Sequence, residues 1–176
     1  MDPVIHIVIC YTLAVLWLTG AAHKATSFAD FCVTLREYRL LPRGLSRVCA
    51  VAIIAIEIGL GIGVLIPVER SMALVGSSLL LMLYSVAIGV NLLRGRRHID
   101  CGCMGPALRH SLSGWMVWRN LAFAGISLGG LLPVHARELL WVDVLSIVAT
   151  VGIVTAMYAA LNQLIANAPE LTRLRS

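Results

Sequence analysis

Charge is scarce in this sequence. Of its 176 residues only 13% are Asp, Glu, Lys or Arg, whereas 59% are hydrophobic. A soluble domain carries about 25% charged residues, and a small folded chain leaves a large share of its surface exposed. Water is therefore excluded as the main solvent, and the apolar surface must face lipid. A basic start is also lacking: Met1 and Asp2 run straight into an apolar stretch, without the positive n-region of a secretory signal peptide. The net charge of +5 does not point to nucleic acid, because the basic residues sit in the gaps between apolar runs. Internal repeats and low-complexity segments are absent, as are cysteine pairs at the C-x₂₋₄-C spacing common in zinc sites.

What is present is a series of five apolar stretches, at 4–22, 48–67, 72–93, 115–132 and 139–161. Each approaches or exceeds the roughly 17–25 residues needed to cross a hydrocarbon core about 30 Å thick, and helices alone satisfy their own backbone there. The sequence predicts an all-α integral membrane protein. It is a single domain over 1–176, a bundle of four to five transmembrane helices with a short amphipathic surface helix. That surface helix falls in 23–47. Ser27 and Asp30 have capping-box spacing, and Phe28, Phe31, Cys32 and Leu35 recur at helical spacing opposite Arg36, Glu37 and Arg39. Leu41-Pro42 and Gly44 should end it. Gly59 and Gly63 form a G-x-x-x-G pair, which predicts close helix packing.

Five crossings put Lys24, Arg36, Arg39, Arg43, Arg47, Arg94, Arg96, Arg97, Arg109, Arg119, Arg173 and Arg175 on one side, against Arg70 and Arg137 on the other. The positive-inside rule then places the N-terminus outside and the C-terminus in the cytoplasm.

The segment 94–110, RGRRHIDCGCMGPALRH, carries the candidate chemistry. Cys101 and Cys103 flank Gly102, whose backbone freedom a tight disulfide ring needs. A strained, exposed disulfide suits exchange, and Arg96, Arg97 and His98 favour the attacking thiolate. Two other readings stay open: inert loop thiols, or a metal site shared with His98, Asp100 or His110. Cys10, Cys32 and Cys49 lie in apolar settings and read as small hydrophobes, although Cys32 shares a membrane side with Cys101 and could resolve a mixed disulfide.

Glu57 falls mid-membrane, where an acid is a functional hypothesis by default. Tyr84 and Arg119 are its expected partners, and its role is either a structural hydrogen bond or quinone or proton handling. Arg119, Asn120, His23, Lys24 and Asn91 gather towards the cysteine end, making a polar site there plausible. Trp17, Trp115, Trp118 and Trp141 read as packing or interface anchors, and no partner is evident for His6 or His135.

These residues resemble the methylamine-utilisation protein MauE family, relatives of the DoxX-like membrane proteins. The similarity runs from His23-Lys24 through Tyr38-Arg39-Leu40-Leu41-Pro42 and Glu57 to Asn91-Leu92 and Arg94-Gly95-Arg96. Asp100-Cys101-Gly102-Cys103 follows, then Trp115 and Arg119-Asn120, while the last helix adds little. The resemblance implies a bacterial inner-membrane protein that works with a thioredoxin-like partner, MauD. The implied client is the disulfide-dense, periplasmic small subunit of methylamine dehydrogenase, with Cys101 and Cys103 as the redox pair. Architecture alone also looks like that of quinone-linked disulfide-forming enzymes, so a quinone is the one candidate cofactor. A periplasmic client sits awkwardly with cysteines on the cytoplasmic side. A different helix count, electron transfer across the membrane, or arginines that serve the site would each reconcile the two. Thiol–disulfide exchange is thus the leading expectation, with a non-enzymatic assembly subunit and a metal-binding protein as alternatives.

Overall fold

A computed structural model describes residues 1–40, 42, 44–96, 113–135 and 137–173. The described residues form six helices: α1 (Pro3–Thr26), α2 (Phe28–Glu37), α3 (Ser46–Gly63), α4 (Arg70–Leu93), α5 (Gly114–Gly129) and α6 (Trp141–Arg173). Four segments are long and apolar enough to cross a membrane: Pro3–Thr26, Ser46–Gly63, Arg70–Leu93 and Trp141–Leu164. The remaining stretch expected to span, 115–132, becomes the 16-residue α5, only about 24 Å long at helical rise. It nevertheless packs antiparallel to α4, from Ile88 to Leu74. Met116 near its start packs with Tyr38 and Ile88, and Ser127 near its end donates to the Leu74 carbonyl at 2.8 Å.

Helix ends follow local chemistry. Asp2 caps α1 by accepting from the Val4 amide at 2.8 Å, with Pro3 placed where a missing N–H costs nothing. At the other end α1 continues past the expected stop at residue 22 to Thr26, carrying Lys24 on the same face as Leu13, Trp17 and Ala21. α4 closes in a Schellman turn: the Arg96 amide bonds the Asn91 carbonyl and the Gly95 amide that of Leu92, both at 3.0 Å. Gly95 has the positive φ of 72° that this turn requires.

The surface helix is present and buries Phe31 and Cys32 against Ala50, flanked by Phe28, Leu35, Ile53 and Ile54. Two details differ from expectation. Ser27 makes no side-chain capping bond; its amide is instead held by the His23 carbonyl, because the helices follow one another almost without a break. α2 also stops at Glu37, before Pro42, where Arg39 adopts a left-handed φ of 47°. Arg36 ties it down by donating to Ser46 at the head of α3, at 3.1 Å.

Close approach of α1 and α3 depends on Gly61 and not on the expected Gly59. A Cβ on Gly61 would lie 2.9 Å from Leu18 Cγ, whereas one on Gly59 would meet nothing within 4 Å. The two glycines are two residues apart, so they point to nearly opposite sides of the helix. Gly63 approaches Ala73 of α4. The core between these helices is built from Leu13, Ala14, Trp17, Leu74, Leu81 and Ala124. Trp17 is buried there and donates to Ser77 at 2.9 Å, so it is a packing residue; Trp115, Trp118 and Trp141 are exposed.

The sparsely charged end is tied together by ion pairs. Arg137 binds Asp2 at 3.2 Å and Asp143 at 2.8 Å, and its guanidinium holds the Asp2 carboxyl below the usual carboxylate range. His6, expected to lack a partner, lies 3.4 Å from Arg70 and 3.8 Å from the Cys10 sulfur. His135 is held through its backbone, which donates to the Met1 carbonyl.

Candidate functional site

The opposite end holds the polar site. Glu57 is fully buried on α3, and Lys24 on α1 is only 5% exposed. The Lys24 ammonium sits 2.7 Å from one carboxylate oxygen and 2.9 Å from the other. Tyr84, on α4, donates its hydroxyl to Glu57 Oε1 at 2.6 Å. The ammonium also lies 5.7 Å from the Phe31 ring centre and 5.8 Å from that of Tyr84, within cation–π range. One amine, one phenol and one carboxylate from three helices thus share a site shut off from water. A lone charge in such a place is very costly, and a hydrogen-bonded pair offsets that cost.

Tyr84 was an expected partner of Glu57; the cation is Lys24 where Arg119 had been expected. The reason is the longer α1, which turns Lys24 inward along the buried face. The spacing Leu13, Trp17, Ala21, Lys24 is the sequence signal that reveals it. Arg119 instead donates to Asn162 of α6 at 3.0 Å and to Asn120 at 3.5 Å, and lies 5.5 Å from the Tyr158 ring. It still reaches the same place. Arg119, Asn120, Lys24, Glu57, Tyr84 and the exposed His23 all line one chamber of about 230 Å³. Four of the polar residues expected at this end, Arg119, Asn120, His23 and Lys24, thus share a chamber, and Asn91 is not among its lining residues.

Asn91, fully buried on α4, donates to the Ala87 carbonyl at 3.0 Å, and its Oδ1 has no partner among the described residues. Arg96 is half-buried and is the last described residue after α4. Arg97, Asp100, Cys101 and Cys103 lie outside the described residues. Cys10 and Cys32 are buried and Cys49 half-buried, all as free thiols. Among the described residues no three His, Cys, Asp or Glu side chains gather as a metal site.

The chain as a whole is similar to known proteins. A family model described as methylamine utilisation protein MauE matches residues 2–133. A methylamine utilization protein MauE from Paracoccus versutus is 37% identical over 134 residues, 75% of this chain and 72% of its own length. Its namesake from Methylorubrum extorquens is 34% identical over 135 residues, covering 76% and 73% respectively. That from Methylophilus methylotrophus is 36% identical over 128 residues, 72% and 67%. No solved structure matches the chain. Matched over three-quarters of its length, this multi-pass helical membrane chain belongs to the MauE family of methylamine utilisation proteins.

Proposed function

We propose that this protein is a membrane thiol–disulfide exchange component of methylamine utilisation. It would mature a disulfide-rich client, the methylamine dehydrogenase small subunit, together with a thioredoxin-like partner of the MauD type. Cys101 and Cys103 are the exchanging pair. One thiolate attacks the partner's disulfide to give a mixed disulfide and frees one partner thiolate. The second cysteine then displaces the remaining partner sulfur, leaving Cys101–Cys103 oxidised and the partner reduced by two electrons. Run backwards, the same steps oxidise the partner.

The observation that carries this reading is where the chain leaves and rejoins the bundle. α4 ends at Leu93 and α5 begins at Gly114, so the segment containing Asp100-Cys101-Gly102-Cys103 connects neighbouring ends of two antiparallel helices, at the arginine-rich end. Arg96 and Arg97 would favour the thiolate, and the Lys24–Glu57–Tyr84 cluster would hold the helices that frame it. The charge bias supports a cytoplasmic location for this end, in a bacterial inner membrane.

Two measurements test the proposal. Cys101→Ser and Cys103→Ser single variants are expected to accumulate a mixed disulfide with a partner protein, visible as a reducible band on non-reducing gels. Absence of such a species from both variants, with client maturation intact, would leave a scaffolding subunit as the better reading. A membrane-impermeant maleimide should leave Cys101 and Cys103 unlabelled in intact spheroplasts and label them after lysis under reducing conditions. Labelling before lysis would place them on the outer face.

A further inference from the structure

The chamber beside the ion pair has an apolar neighbour. A cleft of about 290 Å³ separates α5 from α6, with Ala122, Ile126, Val154, Met157 and Leu161 among its walls. It shares Arg119, Phe123 and Tyr158 with the chamber, and the Phe123 and Tyr158 rings meet edge to face at 5.7 Å, so a passage from the apolar flank to the buried polar end would run past these side chains. A molecule using that passage must dissolve in the bilayer and carry a polar head.

The size and chemistry of the chamber narrow the choice. An apolar cavity of about 150 Å³ holds one benzene ring, so the chamber's 230 Å³ accommodates one substituted six-membered ring. Trp17, Phe123 and Tyr158 line it as aromatic walls, suited to stacking or edge contacts with such a ring. Asn120 is 4% exposed, and its Nδ2 donor has no acceptor among the described residues. A buried donor without an acceptor is costly, so the guest should supply an acceptor oxygen.

The geometry points to this chamber as a binding site for the head ring of a membrane quinone, a planar ring with carbonyl acceptors on an apolar tail. Asn120 donates to a ring carbonyl, the aromatic walls flank the ring, and the tail leaves through the α5–α6 cleft. Binding stands by itself, while a part in electron transfer rests on the thiol–disulfide reading. Closing a Cys101–Cys103 disulfide from two thiols releases two electrons and two protons, and conversion of a quinone to its quinol takes up two of each.

The test uses the full-length protein in detergent, titrated with ubiquinone-1 while tryptophan fluorescence is followed. Trp17 lines the chamber and Trp115 the cleft, so saturable quenching is expected. Asn120→Leu should weaken the apparent affinity about tenfold, the effect of losing one hydrogen bond. Ala122→Phe, at an exposed position in the cleft wall, should weaken it at least as much and serves if Asn120→Leu does not fold. A Cys101→Ser/Cys103→Ser double variant should bind as the parent does, which separates failure of this site from failure of the exchange chemistry. Quenching that rises linearly without saturation, unchanged affinity in both chamber variants, or lost affinity in the cysteine variant would each overturn the assignment.

Discussion

Lys24→Met is expected to destabilise the bundle by about 3–5 kcal/mol, the range found when one member of a buried ion pair is removed. Methionine keeps much of the length and the apolar stem, so what is lost is the charge. Glu57, itself fully buried, would then keep Tyr84 as its one remaining hydrogen-bond donor among the described residues. The carboxylate must stay ionised without its counter-charge, or take up a proton and lose the strength of the Tyr84 bond. Unfolding in detergent by heat or SDS titration would measure the loss. The companion variant Lys24→Met/Glu57→Leu should recover most of it, because replacing both members of a buried pair by apolar groups is often neutral. A single variant as stable as the parent would show that the pair contributes nothing to the fold.

Gly61→Leu is expected to cost about 1–3 kcal/mol, the usual penalty for forcing extra methylenes into a packed core. Even the first added carbon would stand 2.9 Å from Leu18 Cγ and 3.2 Å from Trp17 Cβ. The second contact is the harder one to relieve, because Trp17 is held in place by its bond to Ser77. Gly59→Leu is the matched control, on the same helix but facing open space, and should leave stability unchanged in the same assay. Equal effects from the two would mean that α1 and α3 do not pack as described.

Much of this architecture could be read directly from residue order, since an apolar run of spanning length has few ways to satisfy its backbone in lipid. The amphipathic α2 was equally legible from the spacing of Phe28, Phe31, Cys32 and Leu35. What escaped was detail set by partners distant in the chain. Gly59 and Gly61 look alike in sequence, and only the position of Leu18 decides which one must lack a side chain. Lys24 stands just past the apolar run that ends at Ala22, yet one more helical turn carries it to Glu57. Tyr84 was identifiable because depth along a helix can be counted. Arg119 was misassigned because depth alone does not say which way a long side chain turns. The motif around Cys101 and Cys103 suggests exchange chemistry by residue type and neighbours, and it lies outside the described residues.

The final helix differs from the rest in how it is held. α6 packs mainly along α1, and within Trp141–Leu164 only Ile147 and Asn162 are buried. It meets α5 through long side chains, Arg119 with Asn162 and Phe123 with Tyr158. The family match, moreover, stops at residue 133, before it begins. A wall joined at one edge and latched by a few side chains can swing outward at small cost, like a shutter on a single hinge. Traffic between the bilayer and the interior would then leave the tightly wedged core of α1, α3 and α4 undisturbed.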